Sequence, residues 1–501
     1  MTTSTSTSTP LPLTPKLSER VADLLAQPSV LADLVKALGS PLNIVLPQQI
    51  RENVTDFRRT IDRHGMRGAV YYAHKANRSA ALVRELAATE ARIDVASLAE
   101  LQHALGSGFA PDRIMTTGPK TPEFLWLAAR SGVTVNVDTI EELTLVGQII
   151  QAHTLPRIDV LVRLSTFRAS GATMLSRPSR FGVSTEHLDD VFTVLEKFSQ
   201  AVRLTGFAYH LDTIGIPEKA RAFEGCLLAM EQARSRGHDP RVVDIGGGFG
   251  VNYLADSSQW EAFTTALSEA VLGLRDPVTW QGTGYGLRNE GGRLRGAIGL
   301  YPAHRPTSGP RYLDNLLSTP APGLGASLAE AVLDNMHELW IEPGRSLLDQ
   351  CGIVMARVLE VRPATDDAHY VRLDLNAGDV SLEEHGVHLD PILVTAQPGG
   401  REPGAGYLIG NLCLEADFIS RRKIWFDHLP RVGDLVAFAN TAGYFMDFSA
   451  DHALAQPIAR VVAMSRTPQG WTWQLDDQYW PNPLGPTEID PTEFDPIEER
   501  S

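Results

Sequence analysis

Residues 69–77 read AVYYAHKAN. A β-rich run, Ala69–Ala73, ends just before a lysine, Lys75, and gives way to a helical stretch, Arg78–Glu90. The same unit recurs along the chain. Further β-rich runs lie at Arg92–Ala96, Ile114–Thr117, Thr134–Asp138, Asp159–Leu164, Thr205–His210, Val242–Gly246 and Glu338–Glu342. Helical stretches separate them, for example Ile140–Gln151, Pro217–Arg236 and Trp260–Leu274. Eight strands, each followed by a crossover until the last, predict an α/β fold of the (β/α)8 TIM-barrel type. A doubly wound open sheet shares the alternation and stands as the alternative, since periodicity does not reveal closure.

Outward from this core, the chain divides. Residues 1–15, rich in Thr, Ser and Pro, are expected to be a disordered tail. Residues 16–66 hold a helical stretch over Ser18–Leu38, a short strand at Leu42–Leu46, and a helix with Ile50, Val54, Phe57 and Ile61 on one face. The barrel is expected over 67–351, with a Gly-, Arg- and Pro-rich insertion at about 275–335 that serves as either a surface loop or a substrate lid. Residues 352–480 read as a β domain, with strands at Gly352–Val361, His369–Asp374, Tyr407–Gly410 and Leu435–Asn440. The strand at Leu42–Leu46 has no evident place in the barrel and is expected to pair with that domain. Residues 481–501 are expected to be loose.

Composition narrows the function. Lys plus Arg number 45 against 60 Asp plus Glu, a net charge of −15. A nucleic-acid or acidic-membrane binder needs the opposite balance, so neither partner is expected. Cys226, Cys351 and Cys413 are too few and too far apart for a disulfide framework or a zinc site, and no metal is expected. The first residues lack the basic and apolar pattern of a signal peptide, and no run of about 18 apolar residues occurs. A cytoplasmic enzyme is the expectation.

Polar residues fall where a barrel builds its site, at the C-terminal ends of strands. Lys75 follows the first strand, Arg163 lies near the end of the fifth, and His210 ends the sixth. Gly246, Gly247 and Gly248 follow the seventh, and Glu342 and Arg345 the eighth. A lone lysine or histidine at a strand end is usually solvated or structural; six such positions at one mouth are a candidate site. A glycine run leaves backbone N–H groups free to cradle a phosphate. A dinucleotide fingerprint would need G-x-G-x-x-G in a first βαβ unit with an acid about 20 residues on, which this run lacks.

With the motifs in place, the chain resembles the fold-type III pyridoxal 5′-phosphate (PLP) enzymes, specifically the diaminopimelate/ornithine/arginine decarboxylases. The resemblance runs collinearly from about Leu42 to Ala463: YYAHKAN, DVASLAEL (94–101), VNVDT (135–139), RFG (180–182), GFAYHLDT (206–213), DIGGGFG (244–250), EPGR (342–345), GNLCLEAD (410–417), VGDLVAF (432–438) and AGYF (442–445). It implies an alanine racemase-like barrel plus a C-terminal β-sandwich or β-barrel domain that takes in an N-terminal strand. It implies PLP held as a Schiff base on Lys75, His210 stacked on the ring, and Glu342 paired with the pyridinium nitrogen. The implied phosphate cup comprises Gly246, Gly247, Gly248 and Arg345, with the Tyr444 hydroxyl. Asp94, Arg163, Thr213 and Gly344 join the cofactor shell. Cys413 is implied to be a proton donor delivered from the second subunit of a homodimer with shared sites, beside Asp417. Arg180, Leu414, Glu415 and Asp417 are placed with the substrate. The implied reaction is amino-acid decarboxylation through a quinonoid, releasing CO2 and an amine. A racemase on the same fold and a non-catalytic homologue are the alternatives; the racemase branch usually has arginine where Glu342 stands.

Three positions depart from the family. Asp212 stands where a small residue usually approaches the phosphate, and a carboxylate there repels it unless it turns away or meets a cation. Leu414 replaces the acid that binds a distal amine. The segment 375–393 lacks the Arg-Pro that holds a distal carboxylate. Plain ornithine, lysine and diaminopimelate are therefore disfavoured, and a biosynthetic or carrier-protein-bound amino acid is expected.

Overall fold

The computed structural model describes residues 10–167, 179–211, 213–321, 323–364, 366–395, 399–446 and 448–481. Asp212 and nearly all of the expected C-terminal tail lie outside these residues. The strands in chain order begin with β1 (Leu42–Val45), which stands outside the barrel. The barrel is β2 (Arg67–Ala73), β3 (Arg92–Val95), β4 (Ile114–Thr116), β5 (Thr134–Val137) and β6 (Ile158–Ser165). Past a two-residue strand, β7 (Val183–Ser184), it continues as β8 (Val202–Ala208) and β9 (Val242–Asp244). After a hairpin, β10 (Arg288–Glu290) with β11 (Arg293–Arg295), it ends in β12 (Glu338–Ile341). Each barrel strand pairs in parallel with the next, and β12 pairs in parallel with β2, so the sheet closes. All eight correspond to the runs read from the sequence, and closure excludes the open doubly wound sheet.

The barrel is filled. Ala69, Tyr71, Met115, Leu161, Ala208, Val242 and Trp340 pack together inside it. The Tyr71 and Trp340 rings lie 4.9 Å apart, and the Arg92 guanidinium covers both. Strands approach closely at Gly206, where an added Cβ would lie 1.9 Å from the Val242 carbonyl oxygen. The helix Pro47–Arg63 buries Ile50, Val54, Phe57 and Ile61 against the same core, as its spacing predicts. Each such side chain contributes roughly 1.5–3 kcal/mol.

The second domain centres on β13 (Gly352–Pro363). It pairs with β14 (Ala368–Leu373), which continues to β16 (Gly404–Ile409) and β17 (Phe418–Phe426). It also pairs with β18 (Leu435–Ala439), whose other neighbour is β15 (Ile392–Val394). On its remaining side lies β1, antiparallel to β13 and parallel to β19 (Arg460–Thr467), which carries β20 (Gly470–Leu475) at the edge. The N-terminal strand thus belongs to the C-terminal sheet.

The structure corrects several local expectations. The helical stretch Ser18–Leu38 is two helices, Glu19–Leu25 and Pro28–Leu38, because Pro28 begins a new helix at its first position. Residues near Leu13, placed in the disordered tail, are docked: Leu13 is fully buried and its N–H donates to Asp390 at 2.7 Å. The insertion is structured. It holds the β10–β11 hairpin and the helices Gly309–Leu317 and Leu328–Asp334, and Trp280 stacks on Phe418 of β17 with rings 5.5 Å apart. Among the described residues, no helix is long and apolar enough to cross a membrane.

Candidate active site

At the C-terminal mouth of the barrel lies a cavity of about 780 Å3. Its walls include Lys75, Arg163, Arg180, His210, Thr213 and Glu342, so the structure brings six of the sequence-predicted residues together. All but Arg180, which precedes β7, lie at a barrel strand's end or in the segment just beyond it. Lys75 sits in a short 3-10 turn after β2. Its ammonium reaches open space, yet protein surrounds it on most sides. Burial pulls its pKa down, but Asp94, Tyr444 and Glu342 outweigh that and hold it above the ordinary lysine value. Arg163 is anchored to Asp138 at 3.6 Å.

Acids back one wall, which Glu342 lines. Glu342 is 6% exposed, and Asp94 and Asp244 are more deeply buried. Burial and then the charge of Glu342 push both Asp94 and Asp244 well above the usual carboxylate range. Asp244 also accepts the Gly246 N–H at 2.8 Å, so it shapes the glycine run.

His210 is held neutral. Its desolvation, together with Lys75, Arg163 and Lys219, drives its pKa well below the ordinary value. Its Nδ1 accordingly accepts the Gly247 N–H at 3.3 Å. Behind His210 and Thr213 runs the glycine segment. Gly246 has φ +61, and a Cβ on it would lie 2.6 Å from the Tyr209 carbonyl oxygen. Only glycine combines that backbone with that approach.

The β domain completes the mouth. The Tyr444 N–H donates to the Ala76 carbonyl at 2.9 Å, and Asn77 Nδ2 donates to the Ala442 carbonyl at 2.9 Å. A Cβ on Gly344 would sit 3.0 Å from the Tyr444 hydroxyl, so that glycine admits the phenol. Arg345 lies against the rings of Tyr301, Tyr444 and Phe445, and its buried Nη1 has no hydrogen-bond partner.

Four expected residues stand apart. Cys413, Leu414 and Glu415 lie on an exposed turn and do not line this chain's cavity; Leu414 is 55% exposed. Asp417 is buried beneath that turn. One of its carboxylate oxygens accepts the Ala377 N–H at 2.9 Å and the other the Leu412 N–H at 2.8 Å, so within this chain it shapes the turn. Sequence reasoning missed Asp244, Glu218 and Lys219. Asp244 was visible as the acid before the glycines; the other two fall within the helical stretch Pro217–Arg236, where no local pattern marks them.

These residues fit PLP. An amine in the cavity, an acid wall, a glycine run and a buried guanidinium with an unused N–H match its aldehyde, ring nitrogen and phosphate. Fold and site together are those of a PLP-dependent enzyme of the (β/α)8 type.

The profile of the pyridoxal binding domain of pyridoxal-dependent decarboxylases matches residues 47–295. The chain is 30% identical over 446 residues to an uncharacterized protein, y4yA, of Sinorhizobium fredii, covering 87% of this chain and 90% of that protein. It is 30% identical over 395 residues to a probable chloroplastic diaminopimelate decarboxylase of Oryza sativa subsp. japonica, covering 77% of this chain and 67% of that protein. Among solved structures, diaminopimelate decarboxylase from M. jannaschii in complex with L-lysine superposes with a TM-score of 0.66 at 18% identity, covering 93% and 95% of the two chains. The chain belongs to the PLP-dependent decarboxylase family.

Proposed function

We propose that this enzyme decarboxylates an amino acid other than plain ornithine, lysine or diaminopimelate, in a homodimer that shares its active sites. The carrying observation is the meeting of Lys75, His210 and Glu342 in one cavity while the usual side-chain anchors are missing. Leu414 offers no charge to a distal amine, and the segment 375–393 supplies no Arg-Pro for a distal carboxylate. A second cavity of about 620 Å3 shares Pro119, Arg180 and Phe181 with the first and supports a longer substrate, including one tethered to a carrier protein.

When bound, PLP supplies the electron sink for the pair left by departing CO2. The chain's own residues do the rest. Lys75, its charge favoured by the acids around it, carries the amine that would hold the cofactor once it has given up its proton. Glu342, with Asp94 and Asp244 beside it, presents negative charge where a ring nitrogen needs a proton. His210 offers a neutral face. Cys413 of the partner subunit delivers a proton to Cα; its exposure in the single chain agrees with a place at a subunit interface.

A screen of free and carrier-bound amino acids for CO2 release, with products analysed in D2O, tests this. CO2 with one deuterium at Cα is expected. Exchange at Cα without CO2 would make the enzyme a racemase, and full activity on free lysine, ornithine or diaminopimelate would sink the substrate assignment. Mixing Lys75→Ala with Cys413→Ala subunits should restore part of the activity; mixed dimers without recovery would rule out shared sites.

A further inference from the structure

The helix Ile216–Ser235 buries a lysine in its first turn. Lys219 is 1% exposed, an uncommon fate for an ammonium. Its Nζ donates to the carbonyls of Gly247 and, at 3.2 Å, Gly248. The Phe249 ring lies 5.3 Å from it and the Tyr312 ring 5.5 Å. Tyr312 comes from the insertion, on the helix Gly309–Leu317, and its hydroxyl donates to the Ile214 carbonyl at 2.8 Å. No carboxylate among the described residues pairs with the ammonium. Desolvation alone lowers its pKa, to about 8.

A trans peptide directs its C=O and the following N–H opposite ways. With the Gly247 and Gly248 carbonyls turned to Lys219, the N–H groups of Gly248 and Phe249 face away from it. Neither finds an acceptor among the described residues. Two adjacent free amides backed by a buried cation make an anion nest.

We propose that Lys219 is a positioning residue for the cofactor phosphate: it fixes the glycine run with its amides outward and adds a positive charge behind them, and the insertion seals it from water through Tyr312. This rests on the PLP assignment. The chain thereby gains a cofactor-holding residue on the helix after β8, in addition to the strand-end set.

The test uses the full-length holoenzyme, with PLP affinity read from the near-visible absorbance of lysine-bound cofactor and the phosphate followed by 31P NMR across pH. The ionisable groups beside the ammonium are Tyr312, which Glu218 and Arg305 face, and His210, and Lys219→Met leaves all of them in place. The wild-type phosphorus resonance should stay flat between about pH 5 and 7, where Lys219, its pKa lowered to about 8 by burial, keeps its charge. Lys219→Met should weaken PLP binding roughly ten- to a hundredfold, the loss of one charge-assisted contact, and make the resonance titrate. Lys219→Gln, which keeps a donor but no charge, should fall between, and carries the test if the methionine variant does not fold. A packing role alone would lower thermal stability and leave the phosphorus profile unchanged. Wild-type affinity and a flat resonance in either folded variant would overturn the proposal. Absence of the lysine-bound absorbance in the wild type would instead overturn the PLP assignment itself.

Discussion

Lys75 stands where burial and charge oppose each other. Protein on most sides disfavours its charge, and Asp94, Tyr444 and Glu342 more than restore it. Lys75→Ala should abolish covalent cofactor and cut turnover at least about a hundredfold; borohydride treatment and mass spectrometry check this, and a labelled peptide in the variant would overturn it. Lys75, His210 and Glu342 were legible because a barrel collects strand ends at one mouth, so counting strands located them. Lys219 was not. A lysine at a helix start reads as solvated, and only the insertion folding over it through Tyr312 makes it internal. Asp417 shows the converse: motif position does not reveal that both its oxygens are taken by backbone amides within this chain.

At the scale of elements, the β8–β9 contact is tight. Gly206→Ala places a methyl carbon against the Val242 carbonyl oxygen, and the two strands must part. A cost of about 1–3 kcal/mol is expected, read as a lower urea midpoint with unchanged slope. All eight barrel strands were legible from apolar runs broken by helices. In the β domain, β17 was not: Arg421, Arg422 and Lys423 interrupt its apolar pattern. They are accommodated because Arg421 pairs with Glu383 at 3.0 Å, Arg422 pairs with Asp390, and Lys423 pairs with Asp366 at 2.9 Å. Their partners are far away in sequence, so no local pattern announces them.

At the scale of the whole molecule, the barrel, the insertion and the β domain meet around His388. Its ring lies 5.9 Å from Phe263 and 4.7 Å from Tyr285, and burial with nearby Arg422 lowers its pKa to about 3. The unfolded chain takes up a proton there near pH 6.5 and the folded one does not. Stability from this group is therefore complete above about pH 6.5 and is lost as pH falls toward the folded value. Between pH 7 and 5 the wild type should lose roughly 2 kcal/mol more than His388→Phe, measured by urea denaturation. Equal losses would show that His388 protonates in place.

The pairing of β1 with β19 also sets an order of birth. At about 5–20 residues per second, β1 leaves the ribosome roughly 20–80 s before its parallel partner exists. Apart from β1, every strand of the C-terminal sheet is made after the barrel strands. The nascent enzyme can thus form its mouth while Tyr444 and the turn bearing Cys413 are still untranslated, and its second domain becomes whole only when the last strands return to the first.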